Sequence, residues 1–154
     1  MYIPICCHSN NRIIALEKNP DSHYYLNQNI ELNGIKNIVT TYLGDNREIA
    51  NEYIHKADRI LMGYIPTPKQ FLHRAFEFLK KEGGILYYHH TCTKEEYRSL
   101  ATEHIKEELN SWNILHKENK DFKIIDFRVV KSYSPKQWHC VADVHVFDNK
   151  SDIQ

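Results

Sequence analysis

The chain has 154 residues, enough for one domain with a real core and too few for two ordinary ones. Its 42% hydrophobic and 26% charged residues describe a globular rather than a disordered chain. Twenty basic and twenty acidic residues cancel, which gives no support for a broad nucleic-acid footprint on this segment.

No run approaches the roughly 18 apolar residues of a membrane span. The opening MYIPICCHSNNR has neither a basic leader nor an apolar stretch long enough for a signal peptide, so a cytoplasmic protein without a membrane partner is expected. The cysteines Cys6, Cys7, Cys92 and Cys140 make no CxxC pair and read as buried free thiols.

In chain order, Ile13, Ile14, Ala15 and Leu16 form a first short strand, followed at once by Glu17. Pro20 suits the first turn of a helix, with Tyr24, Leu26, Ile30 and Leu32 as its apolar face and Asn33-Gly34 as its stop. Residues 38–43 are a second strand ending in Gly44-Asp45-Asn46, and a short helix is expected from Arg47 to Tyr53. Residues 59–62 are a third strand, which must end where Pro66 and Pro68 begin.

Thr67 is placed to cap the next helix, with Pro68 at its first position and Phe71, Leu72, Ala75, Phe76 and Leu79 at helical spacing; Gly83-Gly84 is expected to end it. Residues 85–88 are a fourth strand. From Lys94 to about Lys117 the apolar positions Tyr97, Leu100, Ala101, Ile105, Leu109, Trp112 and Leu115 keep a helical period. Two last strands, residues 123–131 and 138–147, leave no room for a helix between them and should pair antiparallel.

Strands alternating with helices and closed by a hairpin are the order of the Rossmann-type methyltransferases: α/β, three layers, one domain over residues 1–154. Such a domain needs one more strand and a glycine-rich loop at its front. Met1 to His8 is too short to supply them and reads as the tail of the helix that would follow.

In open α/β sheets ligands bind beyond the carboxyl ends of the strands. Glu17, Gly44-Asp45-Asn46 and Gly63-Tyr64-Ile65-Pro66 all stand at such ends. A carboxylate at Glu17 offers two acceptor oxygens to the hydroxyls of a ribose, and Asp45 offers an acceptor to an adenine amino group. Together they favour an adenosine ligand, although an acid after a strand also serves as a helix cap. Adjacent His89 and His90 point to opposite faces of a strand and cannot easily share a metal; no zinc-like cluster occurs, and no metal is expected. Trp138 is read as packing, and Arg47, Lys69 and Arg74 as a solvated helix face rather than phosphate contacts.

The series ALEKNP, YLNQNIELNGIKNI, GDNR, ADRILMGYIPTP, a GG strand ending YYHH, and a WHCVAD strand resembles a known family. It is similar to the archaeal and eukaryotic tRNA wybutosine-synthesis aminocarboxypropyltransferases and their relatives, the tRNA guanine-N1 methyltransferases acting at position 37. The resemblance covers essentially the whole chain. It implies a class I S-adenosylmethionine-dependent methyltransferase fold, here without the first strand and glycine-rich loop.

It also implies S-adenosylmethionine as cofactor and tRNA as substrate, held mainly by an N-terminal region outside this segment. Glu17 corresponds to the ribose-binding acid, Asp45 and Asn46 to the pair that meets adenine, and Gly63 and Tyr64 to the start of the substrate-side motif. Met62-Gly63-Tyr64 resembles the aminocarboxypropyl branch, where the methyl branch carries an Asn-Leu-Pro type motif. Transfer of a 3-amino-3-carboxypropyl group is therefore expected, with methyl transfer and a non-catalytic Rossmann-like module as alternatives. No catalytic side chain is assigned, and the segment by itself is expected to be inactive.

Overall fold

Two parallel strands lie side by side in the first part of the chain, β1 (Ile13–Glu17) and β2 (Val39–Leu43), in register from Ile13 opposite Val39 to Glu17 opposite Leu43. The structure, a computed structural model, describes residues 11–149. The chain divides into two units, one up to Glu52 and one from Tyr53 onward. The stretch expected to be a helix tail, with Cys6 and Cys7, lies outside the described residues.

In the first unit β1 and β2 are joined through α1 (Pro20–Leu32). The Asn19 side chain accepts from the amides of Asp21 and Ser22 at 2.9 and 3.1 Å, and Gly34 at φ 65° ends the helix as the sequence suggests. Its expected face is narrower than predicted. Ile30 is buried and Leu26 packs beside it, with Ile13, Ile35, Ile38 and Val39. Tyr24 and Leu32 are 60% and 82% exposed. Each sits two residues from the Leu26–Ile30 pair, and at about 100° per residue that step leads round to the far side of the helix. The helix expected from Arg47 to Tyr53 reduces to a 3-10 turn, Asn51–Tyr53, because Ala50 takes a left-handed φ of 61°.

The second unit holds β3 (Arg59–Met62), α2 (Leu72–Phe78), β4 (Gly83–Cys92), α3 (Ser99–His116), β5 (Lys120–Ser134) and β6 (Gln137–Asp148). Its sheet runs β3-β4-β6-β5, with β3 parallel to β4 and the last two strands antiparallel, as the sequence predicts. β4 is longer than predicted, and Gly83-Gly84 opens it instead of ending a helix. A Cβ on Gly83 would sit 2.0 Å from the Val146 carbonyl oxygen, and one on Gly84 2.6 Å from that of Asp58. These glycines let three backbones approach one another.

α3 starts at Ser99 rather than near Lys94, after a reciprocal pair in which Thr93 N donates to Glu96 Oε2 (2.9 Å) and Glu96 N to Thr93 Oγ1 (3.3 Å). Ala101, Ile105, Leu109 and Trp112 form its buried stripe, whereas Leu115 is exposed. They pack with Phe76, Leu79, Leu86, Tyr88, Val144 and Val146 in one core. Cys92 and Cys140 are free and buried, as expected for structural thiols, and burial pushes the Cys92 thiol up to about 12. No helix among the described residues is long and apolar enough to cross a membrane.

Candidate functional site

Glu17 is the last residue of β1, and its carbonyl accepts from Gly44 N at 2.9 Å, so the turn after β2 folds directly beside it. Gly44 makes that turn possible. Its φ is 154°, and a Cβ there would meet Ile49 Cγ2 at 2.9 Å. Glu17 Oε1 accepts from Asn19 N at 2.8 Å, while its second carboxylate oxygen has no partner among the described residues. One acceptor is thus spent on holding the start of α1, and the other is open to a ligand hydroxyl.

Asp45 is more crowded. Its Oδ1 accepts from the amide and the Nε of Arg47, at 3.0 and 2.9 Å, and its Oδ2 from Arg47 Nη2 at 2.6 Å and Lys18 Nζ at 3.0 Å. The side chain is only 11% exposed. The Arg47 hydrogen bonds, helped by Lys18, hold its carboxyl well below the usual carboxylate range. The first unit therefore brings three of the predicted positions together, Glu17, Asp45 and the adjoining Asn46, on the carboxyl ends of two neighbouring parallel strands.

Gly63 and Tyr64 follow β3 in the second unit. A Cβ on Gly63 would meet nothing within 4 Å among the described residues, so their packing does not demand its lack of a side chain. Tyr64 is 54% exposed, with its ring edge-on to Phe71 at 5.4 Å. It borders a cleft of about 490 Å³ with Pro66, Thr67, Lys69, Gln70 and Glu108. The Ile65–Pro66 peptide is cis, and the Pro66 carbonyl accepts from Thr91 N at 2.8 Å. Thr67 Oγ1 accepts from Lys69 N at 3.3 Å, but it does not cap a helix as the sequence suggests: Pro68 precedes a 3-10 turn, Lys69–Phe71, instead of opening the helix, and α2 starts only at Leu72, without a side-chain cap.

Beneath this loop lie two residues that the sequence reading did not single out. Tyr88 Oη sits 3.0 Å from Thr67 Oγ1 and 2.9 Å from His104 Nδ1. The available signal was the alternation of β4, which turns Leu86, Tyr88, His90 and Cys92 inward together.

His89 and His90 do face opposite ways. His89 Nδ1 meets His139 Nε2 at 3.0 Å, while His90 is fully buried and its Nδ1 approaches the Tyr88 carbonyl at 3.4 Å. Trp138 packs edge-on to Tyr97 at 6.1 Å. Arg47, Lys69 and Arg74 all have acidic partners, namely Asp45, Glu107 with Glu108, and Glu77.

Residues 1–115 match the TRM5/TYW2 methyltransferase domain. The chain is 35% identical over 144 residues to the tRNA(Phe) (4-demethylwyosine(37)-C(7)) aminocarboxypropyltransferase of Methanocaldococcus jannaschii, covering 92% of this chain and 53% of that protein. It is 30% identical over 134 residues to the tRNA (guanine(37)-N(1))-methyltransferase Trm5b of Pyrococcus abyssi, covering 87% of this chain and 37% of that protein. The chain spans about half the length of the aminocarboxypropyltransferases it matches.

Among solved structures it superposes on Pyrococcus horikoshii TYW2 in complex with MeSAdo with a TM-score of 0.83 at 30% identity, covering 94% of this chain and 52% of that one. For Methanocaldococcus jannaschii TYW2 in complex with AdoMet the TM-score is 0.79 at 34% identity, covering 95% and 63%. The α/β architecture is thus the Rossmann-like, class I methyltransferase fold expected from the order of the elements. With the family domain matched over three quarters of its length, the chain belongs to the TRM5/TYW2 methyltransferase domain family.

Proposed function

We propose that the protein serves in S-adenosylmethionine-dependent tRNA modification, transferring the 3-amino-3-carboxypropyl group to a wyosine-type guanosine derivative at position 37 in the cytoplasm. The observation that carries this reading is the likeness, at 35% and 32% identity over more than nine-tenths of the chain, to two archaeal aminocarboxypropyltransferases of that name. Met62-Gly63-Tyr64 supports the same branch.

When bound, S-adenosylmethionine would supply a carbon made electrophilic by its sulfonium sulfur: base C7 would bond to that carbon as the carbon–sulfur bond breaks with its electron pair going to sulfur, the C7 proton would pass to solvent, and methylthioadenosine would leave. Residues of this chain contribute holding and alignment. The open oxygen of Glu17 suits a ribose hydroxyl, and Asn46 and Asp45 are read as the adenine end of the site. Asp45 fits only if one of its present donors gives way, since four hydrogen bonds already fill it. Gly63 and Tyr64 are read as the edge on which the base rests beside the reacting carbon.

The balanced charge supports a tRNA grip centred outside these 154 residues. We propose in consequence that the 154 residues alone turn over no substrate. The assay therefore compares them with the chain joined to the part of the Methanocaldococcus jannaschii relative that it does not cover. In that joined form, S-adenosylmethionine and tRNA carrying the precursor base should yield methylthioadenosine. S-adenosylhomocysteine with methylated guanosine would instead establish the methyltransferase reading, which the 30% identity to Pyrococcus abyssi Trm5b keeps in view. Neither product would leave a non-catalytic module.

A further inference from the structure

Tyr88 stands on β4 with no exposed surface, in a core of Leu86, Phe76, Ala101 and Ile105. A phenylalanine would fill nearly the same space, and a buried hydroxyl is costly unless it is bonded. Here it is bonded on two sides, to Thr67 Oγ1 at 3.0 Å and His104 Nδ1 at 2.9 Å. Burial pushes the phenol up to about 12, so the proton stays on and one donor is always available to this chain of three. Burial lowers His104 as well, favouring a neutral imidazole that can accept.

The two partners belong to different elements. His104 lies on α3, which the core holds firmly through Ala101, Ile105 and Leu109. Thr67 lies in the loop of residues 63–68, which has no place in the sheet ladder and is otherwise tied to β4 through the Pro66 carbonyl and Thr91 N. The Tyr88 hydroxyl therefore links a rigid helix to the loop that carries Tyr64 and lines the cleft.

We propose that Tyr88 is a positioning residue for the substrate base: held between His104 and Thr67, its hydroxyl fixes the loop of residues 63–68 and with it the place of Tyr64. The identity of the base as occupant of that cleft rests on the function proposed above, whereas the linkage itself does not. Loss of one such hydrogen bond, at about 1.4 kcal/mol, corresponds to roughly a tenfold effect.

The test uses Tyr88→Phe, with Thr67→Val as a second variant and Thr67→Ser as the conservative one. In the 154-residue chain, hydrogen exchange followed by NMR should show the Thr91 amide, which donates to the Pro66 carbonyl, exchanging about tenfold faster in Tyr88→Phe and Thr67→Val. Thr67→Ser should match the parent, the Leu109 amide of α3 should not change, and the double variant should be no worse than either single one. In the joined form, KM for tRNA should rise about tenfold while the S-adenosylmethionine Kd stays put.

Unchanged Thr91 exchange, or equal acceleration of Thr91 and Leu109, would overturn the positioning role and leave Tyr88 a packing residue. If the parent itself forms neither product, the proposed function falls, and the amide measurement still decides whether Tyr88 fixes the loop.

Discussion

Arg47 closes on Asp45 as a fork, with Nη2 2.6 Å from Oδ2 and Nε 2.9 Å from Oδ1, and Lys18 adds a third cationic contact at 3.0 Å. The acid assigned to adenine is therefore saturated by its own chain. If an adenine amino group is to donate to Asp45, it must displace a donor that the carboxylate already holds. Arg47→Ala is accordingly expected to leave S-adenosylmethionine affinity unchanged or to tighten it by up to about tenfold, in contrast to Asp45→Ala, which should weaken it. Calorimetric titration of both variants measures this; weaker binding in Arg47→Ala would make Arg47 part of the binding surface instead of a competitor for Asp45.

Glu17 is the less encumbered acid, with one oxygen on Asn19 N and the other open. Glu17→Ala should weaken S-adenosylmethionine binding by roughly 1.5–3 kcal/mol, the scale of hydrogen bonds to a charged group. Glu17→Gln keeps one acceptor and should lose less. Equal affinities for Glu17→Ala and the parent would remove Glu17 from the site.

Two glycines separate packing from function. Gly83 has φ 109°, and a Cβ there would lie 2.0 Å from the Val146 carbonyl oxygen, so Gly83→Ala should cost about 3 kcal/mol or more in a chemical denaturation curve. Gly63 has open space around it, so Gly63→Ala should change stability by no more than about 0.5 kcal/mol. A drop in ligand affinity in that second variant, with stability intact, is the expected sign that something approaches the Gly63 backbone.

The imidazoles give the fold a pH dependence of known sign. Burial first, and then the neighbouring His139, pushes His89 down to about 4 from 6.5, and burial also lowers His90, His104 and His139. In each case the unfolded chain takes up the proton more readily, so their contribution to stability is complete above about pH 6.5 and drains away as pH falls towards 4. Arg128 and Lys131 act in the same direction on the His89–His139 pair, and Asp143 opposes them. Melting temperatures should decline from about pH 7 to about pH 4.5, and less steeply in His89→Asn. Carboxylates add to the decline in both proteins, so the difference in slope is the measurement, and parallel slopes would count against the pair.

Where local chemistry decides the backbone, the sequence was a sufficient guide. Pro20 opens α1 and Gly34 follows its end as their backbone preferences require, and the lack of room for a helix after residue 131 forced an antiparallel hairpin. It was a poorer guide where distant backbones meet. Gly83-Gly84 reads as a helix stop until Val146 and Asp58 are seen pressing on it, and Tyr88 reads as one more aromatic until Thr67 and His104 arrive from 21 and 16 residues away. At the candidate site, the placement of Glu17, Asp45 and Asn46 side by side at the carboxyl ends of β1 and β2 was legible from the order of the elements. The grip of Arg47 on Asp45 was not, since a basic residue two positions on from an acid has many other places to point.

The three register shifts along β5 pass over Ile125, Val130 and Tyr133, and these residues are 57%, 52% and 54% exposed. Each interrupts the even ladder of amides and carbonyls that an added strand would need to follow. Lys123, Arg128 and Lys131 place charge along the same strand. The β5 edge of this sheet is therefore a poor template for a neighbouring molecule, and the apolar side chains it shows to water do not make it a seed for edge-to-edge aggregation.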